Sequence, residues 1–324
     1  MIRSFVFSEG KLAGEDLDPD ALKLVRADKG IHIWVDLFQP TPEETKLILE
    51  DVFNFHPLAI EDCLAVSHFP KVEDYEEYLF LVMHAVDFNR NEHFRTSEID
   101  LFIGKEFLVT HHTVPMRSID TTMERMKKTG AVARGPDRVA HVILDAMAEK
   151  YQPVLNELSR EVQELEDAIF GEGVHNDRHV TGEILQLRKD LSNLRQIIQP
   201  QREVVSRIAH GDFKMVRAVM IPYFRDVSDN LRRIDSGATR LSEQLYLALD
   251  IYLNKAQAQT NEIIKVLTLL TAVTTPLMVV GTWYGMNFRH MPELEGAHSY
   301  EIAGGIVLVT TVLLMAWMKW RKWI

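Results

Sequence analysis

Val266-Leu267-Thr268-Leu269-Leu270-Thr271-Ala272-Val273-Thr274-Thr275-Pro276-Leu277-Met278-Val279-Val280-Gly281-Thr282-Trp283-Tyr284-Gly285-Met286-Asn287-Phe288 is a run of 23 residues without a formal charge, held between Lys265 and Arg289. A helix needs about 20 mostly apolar residues to cross the hydrocarbon of a bilayer. A second run of 17 uncharged residues, 302–318, lies between Glu301 and Lys319, at the short end of the usable range. Two such stretches separated by 13 residues are hard to bury in one soluble domain, so a membrane hairpin is expected. Trp317, Trp320 and Trp323 close the second run, where indole favours the membrane interface.

Outward from the hairpin, charge is unevenly distributed. The 324 residues carry a formal net charge of −11; residues 1–130 hold −10 of it and residues 266–324 sum to +1. That acidity argues against a nucleic-acid binder, which needs a basic surface to displace counterions. The single cysteine, Cys63, excludes an intrachain disulfide framework and suits a reducing cytoplasm. No secretory signal is read in residues 1–11. Lys265, Lys319, Arg321 and Lys322 flank the hairpin, whereas its connection has one base, Arg289. Bases favour the cytoplasmic side, so both termini are expected inside and the loop outside.

The first span is polar in a pattern. Thr268, Thr271, Thr275, Met278 and Thr282 recur at spacings of 3, 4, 3 and 4, one helical stripe, which continues backwards through Ile264, Asn261, Gln257, Asn254 and Asp250. Hydroxyls and amides gain nothing by facing lipid, so the stripe meets other helices or water. It fits threonine-mediated packing, helped by Gly281 and Gly285, as well as the wall of a pore. Two helices cannot enclose a conduit, so a pore requires several copies around an axis.

Between Tyr223 and Thr275 there is no proline and one glycine, Gly237. A helix from Pro222 to Gly281 would span roughly 90 Å, with a kink expected at Pro276. Upstream, residues 137–170 and 177–209 read as two long amphipathic helices packed as an antiparallel hairpin. Strands are expected over residues 31–37, 78–86 and 98–110, with helices over 41–53 and 57–64. The expected organisation is a cytoplasmic α/β domain (1–130), a helical hairpin (131–221), and a stalk helix continuing into the first span (222–288). An external loop (289–301), a second span (302–318) and a basic tail (319–324) follow.

The first span ends Gly285-Met286-Asn287, followed by Met291-Pro292-Glu293-Leu294. With His56-Pro57-Leu58, Glu61-Asp62, Pro70-Lys71-Val72-Glu73, Pro222-Tyr223-Phe224-Arg225-Asp226-Val227 and Leu249-Asp250-Ile251-Tyr252-Leu253, this resembles the CorA family of divalent-cation channels over essentially the whole chain. The resemblance implies an α+β membrane protein of the plasma (inner) membrane, a funnel-shaped homopentamer. It implies transport of Mg²⁺, with Co²⁺ or Ni²⁺, down the electrochemical gradient, and no enzymatic activity or organic cofactor.

It also implies roles. Gly285, Met286 and Asn287 would form the selectivity filter, with Glu293 in the external loop. Ile264 and Leu267 would form the narrow apolar part of the pore, Thr271 and Thr275 the wall further out, and Asn261 and Asp250 the wall nearer the cytoplasm. Many relatives carry methionine where Thr275 stands and threonine where Met278 stands, which leaves the level of a second constriction open. Asp62, with Glu61 beside it, and Asp226 match a regulatory Mg²⁺ site between neighbouring subunits. The chemistry agrees: Mg²⁺ sheds water reluctantly and prefers oxygen, so amide oxygens suit a hydrated ion, and carboxylates on two subunits repel until a cation bridges them. A plain helix C-cap is the alternative for Asn287, and taken alone Asp62 and Asp226 read as solvated helix-end acids.

His111-His112 and His175-Asn-Asp-Arg-His179 resemble transition-metal ligands at first sight. Without a His-Glu-x-x-His motif or a second cysteine, both read as strand-end and loop histidines. No phosphate-binding Gly-x-x-x-x-Gly-Lys-Ser/Thr loop is present, so nothing points to ATP-driven pumping. Two alternatives stand beside the channel: a ZntB-like Zn²⁺ transporter coupled to protons, which Met286 disfavours, and a membrane-anchored cation sensor without transport, which the polar stripe disfavours.

Overall fold

A computed structural model describes residues 1–28, 30–65, 69–89, 92–128, 134–171, 178–287, 291–292 and 296–321. The described chain divides into two compact units, one reaching to Leu247 and the other beginning at Ala248.

The first unit is built on a seven-stranded sheet in the order β2-β1-β3-β7-β6-β5-β4. The strands are β1 (Ile2–Ser8), β2 (Lys11–Glu15), β3 (Ile31–Phe38), β4 (Lys71–Asp74), β5 (Tyr78–Asn89), β6 (Glu92–Gly104) and β7 (Phe107–His112). All neighbours are antiparallel except β3 and β7. Strand periodicity sorts the side chains. Ile33, Val35, Leu37, Phe80, Val82, Phe102 and Val109 join one buried cluster with Leu22 of α1 (Pro19–Arg26), with Ile48, Leu49 and Val52, and with Ala59, Ile60 and Cys63 of α3 (Pro57–Leu64). Between α1 and α3, α2 (Pro42–Lys46) starts on a capping box of Thr41 and Glu44 and runs into a π-helical turn, Leu47–Val52. α5 (Pro136–Glu149), which follows α4 (Arg117–Lys128), packs on β3, β5, β6 and β7.

The strand expected over 98–110 is two strands. β6 ends at Gly104 and β7 starts at Phe107, and a Cβ on Gly104 would lie 2.4 Å from the Phe107 ring. Glycine is what lets this turn close. The helix expected over 137–170 is also two, α5 and α6 (Tyr151–Phe170), interrupted at Lys150. Here Tyr151 is fixed by tertiary bonds: its hydroxyl donates to the His84 carbonyl at 2.7 Å and accepts from Gln201 Nε2 at 2.6 Å, while Gln201 Oε1 accepts from the His84 N–H at 3.2 Å. α7 (Arg178–His210) buries Ile184, Leu187, Leu191, Leu194 and Ile198 and packs on α6.

A 3₁₀ turn, Ala218–Met220, leads into α8, Ile221–Tyr284, one helix of 64 residues that passes through Pro276 without interruption. Its rise is about 95 Å. Within the first unit α8 buries Phe224, Val227, Leu231, Ile234, Ala238, Leu241 and Leu245, a 3–4 repeat facing the domain. Gly237 lies against α6: a Cβ there would be 2.5 Å from Leu155 Cδ2. In the second unit, α9 (Ser299–Trp320) and the end of α8 are long and apolar enough to cross a membrane.

Candidate cation pathway

α8 stays helical through the first apolar run because a bilayer core offers no water to bond the backbone, and a helix pairs its N–H and C=O groups internally. Its threonines also satisfy their own hydroxyl hydrogens. Thr268 donates to the Ile264 carbonyl at 2.7 Å, Thr271 to Leu267 at 2.9 Å, Thr275 to Thr271 at 2.7 Å, and Thr282 to Met278. With each hydrogen turned back into the helix, every hydroxyl presents only its lone pairs outward. An oxygen in that state suits a cation or the water around one.

Further back on the stripe, Gln257 Nε2 donates to Asn261 Oδ1 at 3.0 Å. Asp250, Asn261, Ile264, Leu267, Thr271, Thr275 and Met278 are all exposed in the single chain, Ile264 at 53%, Leu267 at 60% and Met278 at 67%. Only 6% of each apolar window is buried. A helix this apolar and this bare is stable only in lipid or against other helices.

α8 terminates at Tyr284. The Gly285 N–H donates to the Gly281 carbonyl at 3.0 Å and the Met286 N–H to Trp283 at 3.4 Å, after which Asn287 leaves the helix with its side chain exposed. A Cβ on Gly285 would meet the Gly281 carbonyl at 3.0 Å, so glycine allows the tight final turn. The terminal carbonyls carry the negative end of the helix dipole, and the Asn287 amide stands beside them in sequence. Glu293 lies outside the described residues.

The acids of the expected regulatory site belong to the first unit. Glu61 and Asp62 are on the last turn of α3 and Asp226 is on the first turns of α8, Glu61 and Asp226 exposed. Among the described residues Asp226 does not join the other two in one ligand cluster of a single chain. What the sequence reading missed is Lys71. Its ammonium bonds Asp62 at 2.5 Å and Glu73 at 3.0 Å, and the Tyr75 hydroxyl donates to Glu73 at 2.9 Å. Burial alone would lower Lys71, but the bonds to Asp62 and Glu73 outweigh it and hold the ammonium above its usual range. A tethered cation therefore already occupies one face of Asp62.

The histidine pair ends β7, as expected, and both side chains are bonded inside the fold. His112 Nε2 meets Asp36 Oδ1 at 3.2 Å, and Asp36 also accepts from Thr110 at 2.6 Å and from Arg3 at 2.9 Å. His111 Nδ1 meets Asp100 Oδ2 at 3.0 Å. Burial pushes the Asp100 carboxyl above its ordinary value and, with the neighbouring Asp100, raises the Cys63 thiol. His175 lies outside the described residues, and the side chain of His179 is not described either.

A sheet-based domain, a long helix with an apolar end closed by an amide, and a second apolar helix are the parts of a membrane protein. Residues 29–322 match the model of the CorA-like Mg²⁺ transporter proteins. The chain belongs to that family, whose members are ion transporters and not enzymes. It is 28% identical to the cobalt/magnesium transport protein CorA of Thermotoga maritima over 92% of this chain and 85% of that one. The solved CorA magnesium transporter of Methanocaldococcus jannaschii superposes with a TM-score of 0.78 at 22% identity, covering 100% of this chain and 99% of that one. The cytoplasmic domain of ZntB from Vibrio parahaemolyticus shares the fold as well, with a TM-score of 0.62 at 14% identity over 80% of this chain and 98% of that one.

Proposed function

We propose that the chain conducts Mg²⁺, with Co²⁺ and Ni²⁺, passively down the electrochemical gradient as a homopentamer in the plasma membrane, with both termini in the cytoplasm. The observation that carries this reading is the stripe from Asp250 to Met278, with its outward hydroxyl lone pairs, running to a helix end that presents Asn287. Copies of that stripe around an axis line a passage, Ile264 and Leu267 narrow it, and Gly285, Met286 and Asn287 form its filter. Thr271 and Thr275 wet the wall between them, and Asn261 and Asp250 the inner end. Glu293 draws cations to the outer mouth. A ring of amide oxygens holds an ion through its water shell more loosely than carboxylates would, which permits release.

Flux into proteoliposomes separates this reading from its neighbours. Mg²⁺, Co²⁺ and Ni²⁺ are expected to enter without a pH gradient and to compete with one another. Flux of Zn²⁺ alone that requires a proton gradient would place the chain with the zinc branch. No flux of any divalent ion through an assembled oligomer would make it a sensor.

Regulation is read at Glu61, Asp62 and Asp226. Internal Mg²⁺ bridges Glu61 and Asp62 of one subunit to Asp226 of the next, holding the closed state, and its loss lets these acids repel. Lys71 sets the sensitivity, because Mg²⁺ must share Asp62 with it. Asp226→Lys is expected to raise the internal Mg²⁺ needed for half-inhibition by at least about tenfold, or about 1.4 kcal/mol of lost attraction. Lys71→Gln moves that concentration the opposite way. Unchanged inhibition in Asp226→Lys refutes the site.

A further inference from the structure

The sheet unit holds a donor set that neither the conduction path nor the regulatory acids use. α3 brings Cys63 beside β6 and β7, whose antiparallel register sets Asp100 directly opposite His111. The Cys63 thiol, an Asp100 oxygen and a His111 ring nitrogen lie within 4.8 Å of one another. All three residues are buried, at 4%, 2% and 6% exposure. We propose that Cys63, Asp100 and His111 bind one transition-metal cation of borderline softness, the class of Zn²⁺ and Co²⁺.

Three features argue for a ligand here. Asp100 Oδ1 is buried with no partner of regular hydrogen-bond geometry, the weak donor beside the carboxyl being the Cys63 thiol, a deficit of about 1–3 kcal/mol that a stronger partner relieves. Sulfur, imidazole and carboxylate together are a zinc or cobalt donor set, whereas Mg²⁺ takes oxygen and keeps its water. The three side chains also line a cavity of about 820 Å³, whose wall includes Ile60, Leu64 and Glu98. That space gives an ion a route in and leaves room for water as fourth ligand, the arrangement of open three-ligand sites. Metal–donor bonds of about 2.0–2.3 Å put tetrahedral ligands about 3.3–3.8 Å apart, so the donors close by shifts on the order of 1 Å.

Cys63 is the chain's single cysteine, so a sulfur-to-cobalt charge-transfer absorption reports this site and is blind to oxygen ligands in the pore. Titrating the purified full-length protein with Co²⁺ is expected to raise that absorption to saturation at one ion per chain, undiminished by a large excess of Mg²⁺. Cys63→Ser is expected to abolish it. Asp100→Asn and His111→Gln are expected to weaken Co²⁺ at this site by at least about tenfold. Absence of the band in wild-type protein with its thiol shown to be reduced overturns the proposal, whatever the variants do. Unchanged affinity in both Asp100→Asn and His111→Gln overturns the three-ligand set.

Discussion

Mg²⁺ flux through Asn287→Ala is expected to fall at least about 100-fold below wild type, with discrimination among divalent ions lost in what remains. Each amide oxygen that meets the water shell of a passing ion contributes about 1 kcal/mol net. In the proposed pentamer, removing a ring of roughly five forfeits several kcal/mol, where every 1.4 is tenfold in occupancy. Alanine also leaves the terminal carbonyls of α8 as the remaining ligands, which attract cations without selecting among them. The loss is chemical rather than structural, because the Asn287 side chain is exposed and the helix has already ended at Tyr284. Asn287→Asp makes the contrast. It keeps the oxygens and adds charge, so ions enter and leave slowly, and Mg²⁺ blocks the path at concentrations that wild type conducts. Dye-reported uptake in proteoliposomes, with oligomer size checked for each variant, reads both effects. Wild-type uptake and selectivity in Asn287→Ala would remove the amide ring from the account.

The second large effect falls on stability. Asp137, in the first turn of α5, has a side chain only 3% exposed and accepts the Arg217 backbone N–H at 3.0 Å, Nε at 2.9 Å and Nη2 at 2.5 Å. The opposite guanidinium nitrogen, Nη1, donates to the Arg134 carbonyl at 2.9 Å. The clasp ties the start of α5 to the residue just before the turn that launches α8, and the bond to Asp137 holds the guanidinium above its already high range. Arg217→Ala strands the carboxylate with a single N–H and is expected to cost about 3–5 kcal/mol, as for other broken buried pairs. Asp137→Ala costs less, about 2–3 kcal/mol, because the Arg217 side chain is 47% exposed and rehydrates. The double variant is expected to be no worse than Arg217→Ala alone, since one interaction is lost once. Denaturant unfolding of the three variants in one detergent checks the order, and additive losses would show that the residues act separately.

Residues that act as local composition were legible in the sequence. The two spans follow from uncharged length between charged ends, α3 from Pro57 and the apolar positions after it, and the α6 and α7 faces from their 3–4 repeats. The Gly285-Met286-Asn287 end of α8 was legible because a helix terminator and an amide stand in series. The edge strands β2 and β4 escaped, being five and four residues long with few buried positions, too short for an alternation to register. The turn between β6 and β7 is marked in the sequence by Gly104 alone, within an otherwise strand-like run, and the Phe107 ring packed over that glycine is what identifies it.

The sequence by itself determined that an acidic, sheet-containing domain precedes two membrane-crossing helices, and that a polar stripe runs the length of the first. Those properties are written in periodicity and charge, which the backbone reads within a few turns. Only the tertiary structure decided that Lys71 clasps Asp62, that Tyr151 bonds His84 and Gln201, and that Cys63, Asp100 and His111 meet. The reason is register. Whether residues 63, 100 and 111 face one another depends on which strand pairs with which and on where α3 lies across them, and no local pattern encodes a pairing between distant segments.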